Sequence, residues 1–99
     1  MGLAIVTGGS RGIGAAISEK LAADGHDIVI NCASSVEKAE AVAEKCRAYG
    51  VKAVVKQWDV SDYDACAQAL SEIKAELGVP YILVNNAGIT RDGLLVRMK

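Results

Sequence analysis

The sequence predicts an α/β protein built on a doubly wound parallel sheet. Short apolar runs alternate with amphipathic segments of helical periodicity along the chain. The apolar runs are continuous instead of alternating with polar residues, which is typical of strands covered on both faces. A β-α-β-α-β-α-β order requires right-handed crossovers, so we expect helices on both faces of the sheet and the strand order 3-2-1-4.

Four strands and three helices make up this pattern. The strands are the apolar runs 3–6, 27–31, 53–55 and 81–84. Helix 1 follows a glycine-rich loop, and the other two helices begin at capping boxes, in which side-chain oxygens accept hydrogen bonds from free backbone amides. The capping boxes are Ser34-x-x-Glu37 and Ser61-x-x-Asp64. Each helix ends at a glycine, which tolerates the left-handed conformation of a helix terminus: Gly25, Gly50 and Gly78.

The apolar periodicity of each helix predicts the side that packs against the sheet. In helix 1 these residues are Ile13, Ala16, Ile17 and Leu21. In helix 2 they are Val36, Ala39, Val42, Ala43 and Cys46. In helix 3 they are Cys66, Ala69, Leu70, Ile73 and Leu77. One apolar stripe per helix is what a layer of helices on a sheet requires.

The last segment, 92–99, has the pattern of two turns of a fourth helix without a stop signal. A sheet of four strands would leave strand 4 as an apolar edge, which complete proteins normally cover. We therefore expect residues 1–99 to be the N-terminal half of a single larger domain.

Composition excludes several classes of function. The chain has 99 residues, of which 52% are hydrophobic, and its 11 basic and 12 acidic residues give a net charge of −1. This balance does not favour binding to nucleic acid or to an anionic membrane. No apolar run reaches the ~18 residues of a spanning helix, and no signal-peptide pattern is present. Three cysteines without paired spacing and a single histidine predict reduced thiols, no metal site and an intracellular protein.

A glycine-rich loop, Thr7-Gly-Gly-Ser-Arg-Gly-Ile-Gly14, joins strand 1 to helix 1. Gly8 allows the sharp exit from the strand, Gly12 allows a pyrophosphate to approach the backbone, and Gly14 allows the helix to pack closely on the sheet. The free amides and partial positive charge of a helix N-terminus bind phosphates. Between a strand and a helix, the loop predicts a dinucleotide site in a Rossmann-type sheet. The alternative is an ordinary turn.

Two other nucleotide sites can be tested against the same residues. Gly9 and Gly14 satisfy G-x-x-x-x-G, but Ala15 and Ala16 follow where a P-loop needs Lys and Ser or Thr, so a P-loop NTPase is excluded. A methyltransferase or an NAD-specific fold would place an acid at the end of strand 2.

No acid stands there: residues 31–35 read Asn-Cys-Ala-Ser-Ser, and Asp27 is at the opposite end of the strand. Arg11 lies in the neighbouring loop. Both features favour a 2′-phosphate, and hence NADP(H) over NAD(H). The alternative is that Arg11 is a solvated loop charge.

Two further segments follow strand ends beside the predicted crevice. After strand 3, Asp59 is placed to accept a hydrogen bond from the adenine amino group while Val60 covers the ring; the alternative is that Asp59 starts helix 3. After strand 4, the sequence Asn-Asn-Ala-Gly at 85–88 combines carboxamides that can tie strand ends with small residues that let the backbone reach a ribose. The alternative for this segment is a plain turn.

Together these motifs resemble the short-chain dehydrogenase/reductase family, over essentially all 99 residues. The matching features are T-G-x-x-x-G-x-G after strand 1, D-V after strand 3 and N-N-A-G after strand 4. Ser10-Arg11 and the segment 85–99 are most similar to the bacterial 3-oxoacyl-[acyl-carrier-protein] reductases. The resemblance implies a cytoplasmic, NADPH-dependent enzyme, usually a tetramer, that reduces β-ketoacyl thioesters to β-hydroxyacyl thioesters.

The resemblance also implies which residues contact the cofactor. For the phosphates they are Gly8, Ser10, Arg11, Gly12, Ile13 and Gly14. Near the 2′-phosphate they are Asn31, Cys32, Ala33 and Ser34. On the adenine they are Asp59 and Val60. Near the ribose they are Asn86, Ala87 and Gly88.

The catalytic residues of that family are missing from this chain. The family needs a Tyr that protonates the alkoxide, a Lys four residues later that lowers the pKa of that Tyr, and a Ser that stabilises the oxyanion. The residues four after Tyr49, Tyr63 and Tyr81 are Ala, Ala and Asn, so no Tyr-x-x-x-Lys is present. We expect the catalytic half to lie outside residues 1–99. The alternatives are a non-catalytic dinucleotide-binding module that self-associates through strand 4, or a fragment that binds nothing.

Overall fold

The computed structural model describes residues 2–8, 12–34, 36–85 and 95–98. Within these ranges the chain forms five strands and three helices. Their bounds, in chain order, are β1 Leu3–Thr7, α1 Gly12–Ala23, β2 Asp27–Cys32, α2 Val36–Arg47, β3 Ala53–Gln57, α3 Tyr63–Leu77, β4 Pro80–Asn85 and β5 Leu95–Met98. The predicted alternation of strands and helices is confirmed.

The five strands form one sheet in the order β3-β2-β1-β4-β5. The first four are parallel, which confirms the predicted order 3-2-1-4. In this register Thr7 pairs with Asn85 and Cys32 pairs with Gln57, so the last residues of β1, β2, β3 and β4 lie side by side. We call this row of strand ends (Thr7, Cys32, Gln57 and Asn85) the carboxyl edge.

Helices cover both faces of the sheet, as the continuous apolar runs predicted. On one face, Val6, Ile30 and Val84 pack with residues of α1 and α2. On the other face, Ile5 and Val29 pack with α3, whose Ile73 is completely buried. Successive strand residues point to opposite faces, so β1, β2 and β3 each contribute to both clusters.

Helix α1 packs against the core through the predicted Ile17 and Leu21, but its fully buried residues are smaller than those its periodicity predicted. Its buried residues are Gly14, Ser18 and Ala22, while Ile13 is 64% exposed and Ala16 is also exposed. The prediction that Ile13 and Ala16 face the sheet is therefore wrong, because small side chains let the helix lie closer to the strands than bulky ones would. The hydroxyl of Ser18 is satisfied inside this contact by donating to the Gly14 carbonyl at 2.9 Å.

In α2 and α3, most of the residues predicted to face the sheet are buried or partly buried against it. All four of the later inward positions of α2 are buried: Ala39, Val42, Ala43 and Cys46. Val36 and Leu70 were predicted inward but are 37% and 38% exposed. Both lie at the border of their helix's contact with the sheet, where periodicity alone does not define how wide the covered stripe is.

The helix starts differ from the predicted capping boxes. The N-cap of α3 is Asp62, whose carboxylate accepts from the Ala65 amide at 3.1 Å, whereas the Ser61 side chain donates to Asp59. Helix α2 starts at Val36, so Ser34 stands one residue too early to be its N-cap. The predicted ends are confirmed, since the three helices stop one to three residues before the glycines named above.

The predicted fourth helix is wrong for residues 95–98, which form β5 antiparallel to β4. Val96 pairs with Val84 and Leu95 pairs with Asn85. The outer edge of β4 offers a row of unpaired backbone groups, and pairing with it satisfies more of them than a two-turn helix with a costly nucleus would. The edge of β4, through which the alternative reading would have the chain self-associate, is therefore covered by β5. Residues 92–94 and 99 lie outside the described residues.

Substitutions at Ser61 and Asp62, the two residues directly before α3, distinguish the observed N-cap from the predicted one. We expect Asp62→Ala to lower the free energy of unfolding by about 0.5–2 kcal/mol, because the Ala65 amide loses its acceptor. Ser61→Ala removes the hydroxyl that donates to Asp59 but leaves the Ala65 amide with its acceptor, so its effect on the free energy of unfolding should be smaller than that of Asp62→Ala. Urea unfolding of both variants measures the difference, and a larger loss for Ser61→Ala would contradict the assignment of the cap.

Candidate functional site

The candidate site lies at the carboxyl edge, where the chain passes from β1 into α1. In open α/β sheets ligands bind beyond the carboxyl ends of the strands, at the point where neighbouring connections leave toward opposite faces. Here that point is between β1 and β4, because α1 follows β1 on one face and α3 precedes β4 on the other. All the predicted site segments follow strands that end at this edge.

Two glycines of the loop have backbone conformations that other residues adopt only with strain. Gly8 and Gly12 have φ angles of +63° and +60°, in the left-handed region where a side chain would be strained. A Cβ atom placed on Gly12 would meet no other atom within 4 Å, so open space borders the backbone at the start of α1. Gly14 is buried against the sheet, as predicted. Ser10 and Arg11 lie outside the described residues.

The N-terminus of α1 is electrostatically suited to an anion. Its first turn contains no acidic side chain, so nothing there offsets the partial positive charge of the free amides. Ile13 is exposed in this turn, next to the open space at Gly12. The helix therefore presents backbone amides and an apolar side chain, a combination that accepts phosphate beside the less polar parts of a nucleotide.

A side-chain hydrogen bond ties β1 to β4 beside the loop. The hydroxyl of Thr7, which is buried, donates to the carbonyl of Val84 at 3.3 Å. This contact adds to the ladder in which Thr7 pairs with Asn85. The predicted ribose segment, Asn86, Ala87 and Gly88, lies outside the described residues.

Asn31 and Cys32 are 1% and 2% exposed, in contrast to the other two residues predicted near the 2′-phosphate, Ala33 and Ser34. The carboxamide of Asn31 bonds inside the protein. Its Oδ1 accepts from the Gly8 amide at 3.1 Å, and its Nδ2 donates to the Trp58 carbonyl at 2.9 Å. Both ends of the carboxamide are thus engaged with the backbone of the protein. Ala33 and Ser34 are exposed just after β2 and remain predicted contacts of the 2′-phosphate.

The end of β2 carries no acidic residue, and the neighbouring Cys32 thiol adds no charge there. Asp27 lies at the other end of the strand, where its carboxylate accepts from the Lys52 amide at 2.9 Å. Burial raises the pKa of the Cys32 thiol, so this group stays protonated and uncharged at neutral pH. At the exposed side of the loop, Gln57 donates from Nε2 to the Ala33 carbonyl at 2.9 Å.

Asp59 is an exposed carboxylate held in a tight turn after β3. Its Oδ1 accepts from the Ser61 hydroxyl at 2.7 Å and from the Ser61 amide at 2.9 Å. These two hydrogen bonds, the side-chain one first, lower the pKa of Asp59. A carboxylate has room for further donors, so the group can still accept from an adenine amino group. Asp62 is the N-cap of α3, and its amide donates to the Asp59 carbonyl at 3.0 Å, so Asp59 also helps to form the turn that starts the helix, as the alternative held.

Val60 stands beside Asp59 and is half-buried. Its carbonyl accepts from the Cys66 thiol at 3.4 Å, which ties the turn to the first part of α3. The turn that carries both predicted adenine residues is therefore attached to the helix on one side and to β2, through Asn31 and Trp58, on the other.

Two residues of the site, Gln57 and Ser61, were missed by sequence reasoning. Ser61 had a recognisable signal, since an Asp followed two residues later by a serine forms an Asx turn in many loops. Gln57 had none, because only the pairing of β2 with β3 places its side chain next to the Ala33 carbonyl.

Within the described part of the chain, no group of three or more His, Cys, Asp or Glu residues is arranged to hold a metal ion. Among the described helices, none combines the length and the apolar character that crossing a bilayer requires.

A family model described as short chain dehydrogenase matches residues 2–99. The chain belongs to this family. Among curated relatives it is 49% identical, over 96 residues, to 3-oxoacyl-[acyl-carrier-protein] reductase FabG of Staphylococcus aureus, and 47% identical to acetoacetyl-CoA reductase of Paracoccus denitrificans. These alignments include 97% of this chain but 39% and 38% of the two relatives. The chain therefore spans well under half the length of these family members.

Solved structures of the same family are similar in sequence and in fold. A short chain dehydrogenase from Burkholderia cenocepacia, crystallised in complex with NADP, is 48% identical and superimposes with a TM-score of 0.84. The match covers 93% of this chain and 38% of that one. The resemblance inferred from the glycine loop, the D-V pair and the N-N-A-G segment is thus confirmed at the level of family and fold.

The pKa of Asp59 provides a test of the turn at the adenine side of the site. We expect Ser61→Ala to raise this pKa toward the ordinary value of 3.8, because the larger of the two stabilising hydrogen bonds is removed. An NMR titration of the Asp59 carboxyl carbon measures the shift, with Ser71→Ala on α3 as a control that leaves it unchanged. Since the folded-state pKa is lowered, the stabilisation by this turn is present above pH 3.8 and is lost as the pH falls through the folded value. An unchanged pKa in Ser61→Ala would contradict the role of the hydroxyl.

Proposed function

We propose that residues 1–99 form the NADP(H)-binding N-terminal half of a reductase that converts 3-oxoacyl thioesters to 3-hydroxyacyl thioesters. The observation that carries this proposal is the start of α1, where Gly12 borders open space and the first turn lacks an acid. A side chain at Gly12 would fill part of the space that a pyrophosphate needs, so the residues present fit the group. Two relatives are named 3-oxoacyl-[acyl-carrier-protein] reductase and acetoacetyl-CoA reductase. These names support 3-oxoacyl thioesters as the substrate class.

The preference for NADP(H) rests on charge at the end of β2. A carboxylate there would bind the ribose hydroxyls of NAD(H) and repel a 2′-phosphate, but residues 31–34 contain no acid. Arg11 supplies a guanidinium in the adjacent loop. The NADP complex of the Burkholderia cenocepacia relative agrees with this preference.

When bound, NADPH supplies a hydride to the carbonyl carbon of the substrate. The contribution of this chain is to hold the nucleotide: amides at Gly12, Ile13 and Gly14 for the phosphates, and Asp59 with Val60 for the adenine. The proton that completes the reduction has no donor of the Tyr-x-x-x-Lys type in residues 1–99. For the whole enzyme we propose a substrate linked to acyl carrier protein, a cytoplasmic location and a tetrameric assembly.

Removal of the Arg11 charge tests the proposed cofactor preference. We expect Arg11→Ala to weaken NADPH binding about tenfold or more, because a charge-assisted hydrogen bond to the 2′-phosphate is lost. NADH binding should change by less than about threefold, because NADH has no such phosphate. Titration of nicotinamide fluorescence measures both affinities. Lys20→Ala, which removes an exposed cation at the other end of α1, is the matched control and should change neither. Equal losses for both cofactors in Arg11→Ala would contradict the preference for NADPH.

The missing catalytic tyrosine and lysine predict binding without turnover. Purified residues 1–99 should bind NADPH but should not oxidise it in the presence of an acetoacetyl thioester, since the sequence contains no Tyr-x-x-x-Lys motif to protonate the product. Absorbance of the reduced nicotinamide measures the rate, and a full-length relative serves as the positive control. Steady-state oxidation by this chain would overturn the proposal that the catalytic half lies outside it. Failure to bind NADPH at all would favour the alternative of a fragment without a ligand.

A further inference from the structure

We propose that Asn31 is a positioning residue that fixes the phosphate side and the adenine side of the nucleotide site relative to each other. The inference rests on the proposed function, because it concerns how that site is held before the cofactor binds. It also changes the role of Asn31, which the family resemblance placed among the residues in contact with the 2′-phosphate. The side chain acts inside the protein, on two backbone groups from two different loops.

The position of Asn31 in the sheet makes this bridge possible. It is the second-last residue of β2, and β2 lies between β1 and β3. Gly8, the first residue after β1, donates its amide to Oδ1, while Trp58, the first residue after β3, accepts from Nδ2. These partners are 23 and 27 residues away in sequence, so the bridge joins segments that only the sheet brings together.

The chemistry of the two partners selects a carboxamide. The Gly8 amide can only donate and the Trp58 carbonyl can only accept, so the bridging group must accept on one side and donate on the other. A carboxamide does both at the end of a short side chain, and its orientation is fixed by these partners. At 1% exposure an unsatisfied amide or carbonyl would be costly, so both contacts matter to the local structure.

Both partners stand at the start of a predicted cofactor segment. Gly8, with a φ of +63°, begins the glycine loop that leads to the N-terminus of α1. Trp58 comes directly before Asp59 and Val60, and its amide also donates to the Cys32 carbonyl at 3.0 Å. Movement of either loop away from the other would stretch a hydrogen bond of Asn31. The carboxamide therefore sets the distance between the loop that binds pyrophosphate and the turn that binds adenine.

The test compares three variants of the whole 99-residue chain. Asn31→Leu keeps the approximate size and removes both hydrogen bonds. Asn31→Asp keeps an acceptor for the Gly8 amide but places an oxygen against the Trp58 carbonyl. Val29→Ala is the matched control, because Val29 is fully buried on the same strand and the same face but contacts neither loop through a hydrogen bond.

Two measurements separate positioning from general stability. Hydrogen exchange of the Gly8 amide, followed by NMR without ligand, reports on the bridge itself. NADPH affinity, followed by quenching of Trp58, the single tryptophan, reports on its consequence for binding. Melting temperatures show how far each variant is destabilised in general.

We expect Asn31→Leu to speed exchange at Gly8 and to weaken NADPH binding, each about tenfold. Val29→Ala should lower the melting temperature while leaving the exchange rate and the affinity within about twofold of the original chain. Asn31→Asp should keep Gly8 protected and still lose affinity, because only the adenine-side contact is broken. If Asn31→Leu does not fold, Asn31→Asp with the same control decides the question.

Equal effects of the Asn31 variants and Val29→Ala on exchange and on affinity would overturn the proposal, since Asn31 would then act only through stability. If the original chain does not bind NADPH, the proposed function is contradicted. Exchange at Gly8 in the ligand-free variants would still decide whether Asn31 holds the loop.

Discussion

The carboxyl ends of neighbouring parallel strands leave backbone groups near and beyond the last ladder pairs, and satisfying these groups is the constraint on which the site depends. Three side chains satisfy such groups, and each of them donates a hydrogen bond to a carbonyl on a different strand end or loop. Thr7 reaches Val84, Asn31 reaches Trp58, and Gln57 reaches the loop after β2. The loops of the candidate site therefore start from strand ends that are tied to each other sideways.

Helix α1 shows how one choice of residues serves packing and binding together. Gly14 and Ser18 allow the helix to lie close to the sheet, and this places its N-terminus directly beyond the end of β1. At that end, Gly12 keeps space open and no acidic side chain opposes an anion. A helix with the bulkier predicted face inward would stand farther from the strands, and its free amides would then lie farther from the carboxyl edge.

Several elements could be predicted from sequence because they depend on local physical rules. Continuous apolar runs identified β1 to β4, and crossover handedness gave their order. The glycine loop and the absence of an acid in residues 31–34 gave the candidate site, which stays a prediction, and the proposed cofactor. Errors arose where a displacement of one residue changes the outcome: Asp62 instead of Ser61 as the cap, and Gly14 instead of Ile13 on the buried face of α1.

By itself, the order of residues determined the class of fold, the strand order and the position of the glycine-rich loop, because these follow from periodicity and from conformations that only glycine adopts easily. The tertiary structure alone decided that β5 pairs with β4 and that Asn31 faces inward to bridge Gly8 and Trp58. Those outcomes depend on which unpaired backbone groups come together in space. Groups separated by more than twenty residues meet only after the sheet has formed, so no local pattern records their contact.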